Sequence, residues 1–468
     1  MSPATASSLP TRARVAIIGG GYTGSVLAVN LLREAPHGVT LTLIERAQTV
    51  GRGLAYRTQN PQHLLNVRAS NMSAFADDPA HFLRWLKARA GTAAGDTPGD
   101  VFVPRQDYGL YIEDVFREAA SRTGDGGVTV LHKSAVELRP GTPVTVAFDD
   151  GTSQDFDHVV LCIGNFPPAA PAEIPSDVVN SRRFIADPWD DARLAAIPPD
   201  DAVLIIGSGL TMADVVDSLR RHGHTGPIEA ISRHGLEPQR HRAVAAYPPF
   251  LKADALPTSL LALLMRVRRE VKAAAAQGID WRSVIDSLRP LTTPIWLNLP
   301  PAERRRFLRH LRPYWDVHRH RLAPANAEAL AQLRKDGRLH MRAGRIVQCR
   351  FDDDDIVTTL RRGGETTAIA TRWIVNCSGP LRDFTRIEDR LVRGLFEQGH
   401  IRSDALRLGL DITPDNRLLN RDGRPWDNLY ALGPPTLGAY WEIIAVPDLR
   451  NACAAFAKIL ARRLRTPR

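Results

Sequence analysis

An α/β fold of paired dinucleotide-binding, Rossmann-like domains with a helical insert is what the sequence predicts, and three observations predict it. Two glycine-rich turns, in "VAIIGGGYTGSV" from Val15 and in "VLIIGSGLTMADVV" from Val203, each follow a short apolar run and open an amphipathic one. Two further apolar runs, "FDHVVLCIGNFPP" and "TRWIVNCSGP", each end in a glycine and a proline-bearing loop. The stretch between the second turn and the last of these runs is helical in pattern and repeatedly broken by proline.

The first turn sits in a segment that could pass for a membrane span, since Val15 to Leu32 carries no charge. Its glycines argue otherwise. Gly19, Gly21 and Gly24 have the spacing G-x-G-x-x-G between the strand Val15–Ile18 and a helix closed by Gly38. A second strand, Val39–Ile44, then ends in Glu45, 21 residues beyond Gly24. In such a unit the first glycine allows the sharp turn and the second admits a pyrophosphate. The third lets helix and strand pack closely, and the acid meets a ribose hydroxyl. Glu45 repels a 2′-phosphate, so FAD or NAD fits here and NADP does not.

The second turn repeats this grammar with a different ending. A strand runs to Ile206, Gly207 and Gly209 make the turn, and Met212 replaces the third glycine. The helix ends near Arg221, closed by Gly223, and the strand Ile228–Ser232 leads to Arg233 and His234. A basic tip neutralises a 2′-phosphate or stacks on adenine, so this unit suits NADPH or NADH as electron donor. The strand-Gly segments ending at Gly164 and Gly379 belong by pattern to the first site, as links between the paired domains. Near the C-terminus, a strand Leu429–Leu432 and a Gly-Pro-Pro turn at Gly433 precede a long amphipathic helix, expected to aim its positive end over Gly433.

These landmarks divide the chain into a loose tail at 1–11, an FAD domain of 12–195 and 370–468, and an NAD(P)H domain of 196–369 with the insert at about 245–336. No internal repeat is read beyond the two fingerprints. Composition is that of a folded protein, 44% hydrophobic and 24% charged. The net charge of +10 comes from arginine-rich helices without the aromatic interleaving of a nucleic-acid module, so no nucleic-acid partner is expected. No signal peptide or membrane span is read, and the cytoplasm is the expected location. Cys162, Cys349, Cys377 and Cys453 form no C-x-x-C pair, which excludes a redox-active dithiol of local spacing. His318 and His320 lie two apart and cannot share a metal from one helix, so no metal is expected. Together with Trp315, Asp316, Arg319 and Arg321 they read as a polar-aromatic cluster closing the domain or lining a substrate cleft.

The stretches "VGRGLAYRTQNPQHLLNVRASNMS", "GSGLTMADVV", "FLRHLRPYWDVHRHRLAP" and "LGPPTLGAYWEIIAVP" resemble the bacterial FAD/NAD(P)-binding flavoprotein family that includes an FAD-dependent urate hydroxylase. Within the wider flavoprotein monooxygenases the last flavin turn is usually Gly-Asp; here Pro434 follows Gly433, and Glu442 is a possible substitute carboxylate. The resemblance implies an FAD-dependent monooxygenase, reduced by NAD(P)H and consuming O2, that hydroxylates a small electron-rich substrate. Its first choice of substrate is urate, giving 5-hydroxyisourate in purine degradation, and its choice of donor is NADH. Arg52, Arg57 and Arg68, in the loop after Glu45, are the candidates for holding such an anion. N-hydroxylation or another flavin oxidoreductase is the alternative reaction. A nucleotide-binding regulator without turnover is the rival from another class, since fold alone does not decide activity.

Overall fold

The computed structural model describes residues 12–90, 99–123 and 127–465; the tail at 1–11 lies outside the described residues. Strands form where the apolar runs stand. Ala13–Ile18, Val39–Ile44 and His158–Leu161 pair in parallel at the centre of a six-stranded sheet, ordered Arg417–Leu419, Pro425–Ala431, His158–Leu161, Ala13–Ile18, Val39–Ile44, Val128–Leu131. Parallel strands covered on both faces need no polar alternation. Val15, Ile17, Leu41 and Leu43 enter one core, while Ala16, Ile18 and Ile44 enter the core on the opposite face.

The uncharged run Val15–Leu32 now has its reason. Helix Tyr22–Glu34 is buried from Tyr22 through Leu32, between the sheet and the helices Arg105–Ser121 and Val446–Arg465. Among the described residues no helix is long and apolar enough to cross a membrane.

A second, five-stranded parallel sheet has the order Leu339–Ala343, Ile228–Ser232, Val203–Ile206, Trp373–Asn376, Phe184–Ile185. The repeat between the two units extends well beyond the fingerprints. In each, the strand three places along the parallel series leads into a three-stranded antiparallel sheet, residues 135–156 in one and 345–371 in the other. In each unit the chain then returns to pair beside the fingerprint strand, through His158–Leu161 and Trp373–Asn376.

That pairing corrects three boundaries. Trp373–Asn376 and Phe184–Ile185 hydrogen-bond into the second sheet, so the second unit reaches past 196–369 on both sides. Gly379 therefore belongs beside the second fingerprint rather than the first. The insert also ends earlier than 336, because helix Pro324–Lys335 packs on helix Leu210–Arg221 and strand Leu339–Ala343 as part of the second unit.

The units meet through polar contacts. Arg105 pairs with Asp214 at 2.8 Å with both side chains nearly buried, His63 Nε2 lies 2.9 Å from the Asp214 carbonyl, and Asn326 donates to Gln62 O at 3.0 Å.

The closest packing is at the fingerprints. A Cβ on Gly24 would stand 1.9 Å from the Gly19 carbonyl oxygen, a backbone atom that cannot rotate away. At Gly209, with φ −87°, a Cβ would meet nothing within 4 Å. Gly24→Ala is therefore expected to cost upward of about 3 kcal/mol, whereas Gly209→Ala should stay within about 0.5 kcal/mol of the parent. Urea unfolding of both variants checks this; a Gly24→Ala protein as stable as the parent would contradict the close crossing.

Candidate active site

Each fingerprint turn is bent around a backbone carbonyl. Gly19 adopts φ +103° and a Cβ there would lie 2.4 Å from Cys162 O; Gly207 adopts φ +111°, with Cys377 O at 2.2 Å. Only glycine accommodates both the dihedral and the contact. The turns then present the first backbone N–H groups of helices Tyr22–Glu34 and Leu210–Arg221 at the C-terminal edges of their sheets, where α/β folds bind phosphates. Gly164 (φ +68°) and Gly379 (φ +95°) end the neighbouring strands with nothing within 4 Å of a built Cβ, so both cradles open onto free space.

Glu45 occupies the tip of its strand as expected, and it also braces the turn. Its carboxylate accepts from Gly20 N at 2.7 Å and Ala47 N at 2.9 Å. One bond on each oxygen leaves lone pairs for a ribose hydroxyl. Across the chain, Gly51 N donates to Gly20 O at 2.7 Å, which lays the loop 51–56 over the cradle, with Gly53 Cα 3.3 Å from a Cβ built on Gly21. In the second cradle Arg233 is exposed and makes no hydrogen bond or ion pair with the described residues. These features fit two dinucleotides of different kind.

The three arginines after Glu45 do not converge. Arg52 pairs with Glu113 at 2.8 Å, Arg57 stands exposed 4.0 Å from Asp187, and Arg68 donates to Arg242 O at 2.6 Å. Each is engaged by a different neighbour, so they do not form one anion site. Gly433 is also placed differently from the expectation. Its φ is +84° and a Cβ would lie 2.8 Å from Thr23 Oγ1, so it packs on the first fingerprint helix. Short turns at Pro434–Thr436 and Leu437–Tyr440 follow, and the long helix starts only at Val446 rather than directly after the Gly-Pro-Pro turn.

Between those short turns and the long helix lies the polar centre of the molecule. Trp441 has φ 59° and ψ −73°, and Glu442 N donates to Tyr440 O at 2.8 Å, closing a γ-turn of the strained hand. Such a backbone costs about 1–3 kcal/mol and persists only where its surroundings impose it. Here the insert imposes it. Trp296 stacks on Trp441 with centroids 4.9 Å apart and donates through Nε1 to Gly438 O at 2.8 Å, and Phe307 meets Trp441 edge-on at 5.1 Å.

The turn buries the Glu442 carboxylate. Trp315 Nε1 donates to it at 2.8 Å, Arg319 Nε lies 3.3 Å away, and His320 Nε2 lies 3.8 Å away. Burial pushes His320 below its ordinary value, more than the nearby carboxylate raises it. His318 instead packs against Trp281, at 4.8 Å, and Arg321 forks onto Asp286 with two bonds of 2.9 Å. The predicted cluster thus divides: Trp315, Arg319 and His320 turn to Glu442, while His318 and Arg321 hold the insert together.

Four arginines and three acids surround this point: Arg289, Arg312, Arg319 and Arg382 with Asp316, Glu442 and Asp448. Arg319 Nε and Nη2 and Glu442 Oε2 are buried without a hydrogen-bond partner. Arg382 follows the Gly379 loop and makes no hydrogen bond or ion pair with the described residues. Burial first, then Arg312, pushes it down to about 10. Of these groups, Arg289, Arg312, Arg382 and Asp448 escape a sequence reading; the one available signal is that Arg382 stands three residues beyond a strand-ending glycine.

Residues 16–166 match the family model described as FAD-NAD(P)-binding. Nitrosuccinic acid synthase of Aspergillus oryzae is 27% identical over 238 residues, 45% of this chain but only 36% of that protein's length. The reduced form of ornithine hydroxylase from Pseudomonas aeruginosa shares the fold with a TM-score of 0.66 and 15% identity, over 97% of this chain and all of that one. Ornithine N-hydroxylase from Kutzneria sp. 744, solved with reduced FAD, NADP+ and L-ornithine, covers the same shares with a TM-score of 0.61 and 17% identity. The fold is thus that of α/β flavoproteins with dinucleotide-binding, Rossmann-like domains.

Glu442→Gln should keep the Trp315 bond and leave Arg319 without its countercharge. A loss on the order of 3 kcal/mol in chemical unfolding is expected. Unchanged stability would show that the carboxylate does not balance the arginines.

Proposed function

We propose that this chain is an FAD-dependent monooxygenase that uses NADPH and O2 to hydroxylate the nitrogen of a small amine bearing a carboxylate, an amino acid in class. The observation that carries the reading is Arg382, half-buried and without an ion pair of its own, because the neighbouring acids Asp316 and Glu442 pair with Arg312 and Arg319. A desolvated guanidinium lacking a partner is costly, and a bidentate carboxylate is its natural complement. Support for the nitrogen comes from the relatives. Two of them are named for ornithine hydroxylation and the third for nitrosuccinic acid, whose name places an oxidised nitrogen on a dicarboxylic acid. Nitrogen hydroxylation therefore has better support than urate hydroxylation.

Gly19, Gly21 and the first N–H groups of helix Tyr22–Glu34 would hold the FAD pyrophosphate, and Glu45 the ribose. Gly207, Gly209 and Arg233 would hold NADPH. Bound FAD would supply hydride acceptance and the delivery of one oxygen atom from O2. The protein's own task is placement. Arg382 and Arg319 would take the substrate carboxylate, while Trp315, Trp441 and the Glu442 turn exclude water from that side. The overall reaction consumes amine, O2, NADPH and a proton, and yields hydroxylamine, water and NADP+. The thiols offer no competing route, because all four are buried and burial pushes Cys162, Cys377 and Cys453 upward.

NADPH oxidation and product mass, measured across amino acids, the amines lacking their carboxylate, and urate, test this reading. An amino acid should accelerate NADPH oxidation and gain one oxygen atom on nitrogen. Arg382→Met should raise its KM by about 10- to 100-fold while leaving the KM of the matching carboxylate-free amine unchanged. Arg233→Ala should lower kcat/KM for NADPH by about 10- to 100-fold and for NADH far less. Hydroxylated urate, or peroxide formed one-for-one with NADPH whatever the amine, would overturn the proposal.

A further inference from the structure

The insert forms a half-open cavity of about 570 Å³ that borders the Glu442 centre and is lined by none of its charged groups. Helix Leu260–Ala276 forms one wall, the segments between Trp281 and His318 form the other, and Trp441 closes the inner end. Its lining is almost wholly apolar, with Leu263, Val267, Ile285 and four tryptophans, Trp281, Trp296, Trp315 and Trp441. Cavities of about 300–1,000 Å³ with such walls hold small molecules.

Two cations break the apolar lining. Arg268 and Lys272 stand four residues apart on helix Leu260–Ala276, which puts them on one face, at its solvent side. Neither makes a hydrogen bond or ion pair with any described residue, whereas Arg266 on the same helix has Glu270 at 3.6 Å. An apolar chamber with two uncompensated positive charges on its rim selects a molecule of one kind, apolar in body and negative at one end.

We propose that the insert is a binding site for a free amphipathic carboxylate, an acyl or aryl acid whose apolar body fills the cavity and whose carboxylate meets Arg268 and Lys272. A single molecule fits better than a flat surface, because the lining includes deeply buried side chains, Trp296 and Leu288, which are 2% and 3% exposed. The site is separate from the cradles and independent of the reaction that they support. It adjoins the Glu442 centre at two side chains, since Trp315 and Trp441 both line the cavity, the first donating to Glu442 and the second preceding it in the turn.

Hexanoate, octanoate and decanoate titrated into the full chain, followed by tryptophan emission and calorimetry, test the proposal. Affinity should rise roughly fourfold per methylene as apolar surface is buried. Decanol should bind about tenfold or more weakly than decanoate, for want of charge-assisted bonds. Arg268→Gln combined with Lys272→Gln should abolish that difference, leaving decanol binding and ligand-free NADPH oxidation as in the parent. Four results would each overturn the site: no saturable decanoate binding below its micellar range, equal affinity for decanol and decanoate in the parent, anionic phosphatidylglycerol vesicles bound in place of monomeric acid, or self-association that covers the face while decanoate fails to bind.

Discussion

The carbonyl oxygens of Cys162 and Cys377 lie where side chains on Gly19 and Gly207 would begin, and the rest of the architecture depends on these two contacts. A parallel sheet brings the end of one strand against the turn that follows its neighbour. If that turn carried a Cβ, the strands would separate and the following helix would lose its seat on the sheet. With glycine, the helix N-terminus is delivered to the sheet edge with its N–H groups free. The same solution is used twice in one chain, and the details after it diverge. In the first unit Gly24 brings the helix onto the Gly19 carbonyl, whereas in the second the buried Met212 fills the corresponding place.

What joins the two cradles is electrostatic as much as steric. The γ-turn at Trp441 sets a buried carboxylate among arginines that come from the insert and the Gly379 loop, with Asp448 added from the start of the C-terminal helix. Trp296 and Phe307 hold the strained backbone from one side, so the insert has a structural reason to exist apart from its cavity. Asp448 shows the same tension, raised by burial and restrained by Arg289. Arg319 nitrogens and a Glu442 oxygen are buried there in a 3.3 Å ion pair without a hydrogen-bond partner, which is costly in a low-dielectric setting.

Legibility in the sequence follows the range of the interactions. The fingerprints, Glu45 and the strand Ile228–Ser232 are legible because turn, helix and acid are set by residues a few places apart. The antiparallel meanders carry only hairpin glycines, such as Gly151 and Gly363, and no dinucleotide fingerprint, so the wider repeat shows only once their pairing is known. Trp373–Asn376 reads as a strand, but the sheet it joins is decided by pairing with Val203–Ile206, far away in the chain. Arg52, Arg57 and Arg68 look like a group in sequence and are drawn apart by Glu113, Asp187 and Arg242. Conversely, Arg382 and Glu442 come together only through the fold. The Pro-broken insert hides a similar split, since its last helix belongs to the second sheet.

The central claim is that two glycine crossings make two cradles of unlike preference, one with an acid at its ribose position and one with Arg233. Equilibrium titration of NADP+ into the FAD-loaded chain, with bound and released flavin followed by fluorescence, tests it most directly. One NADP+ site per chain, filled without release of FAD, is the expected result. Stoichiometric displacement of FAD by NADP+, or saturation only after FAD is removed, would mean that one cradle serves both nucleotides and would contradict it.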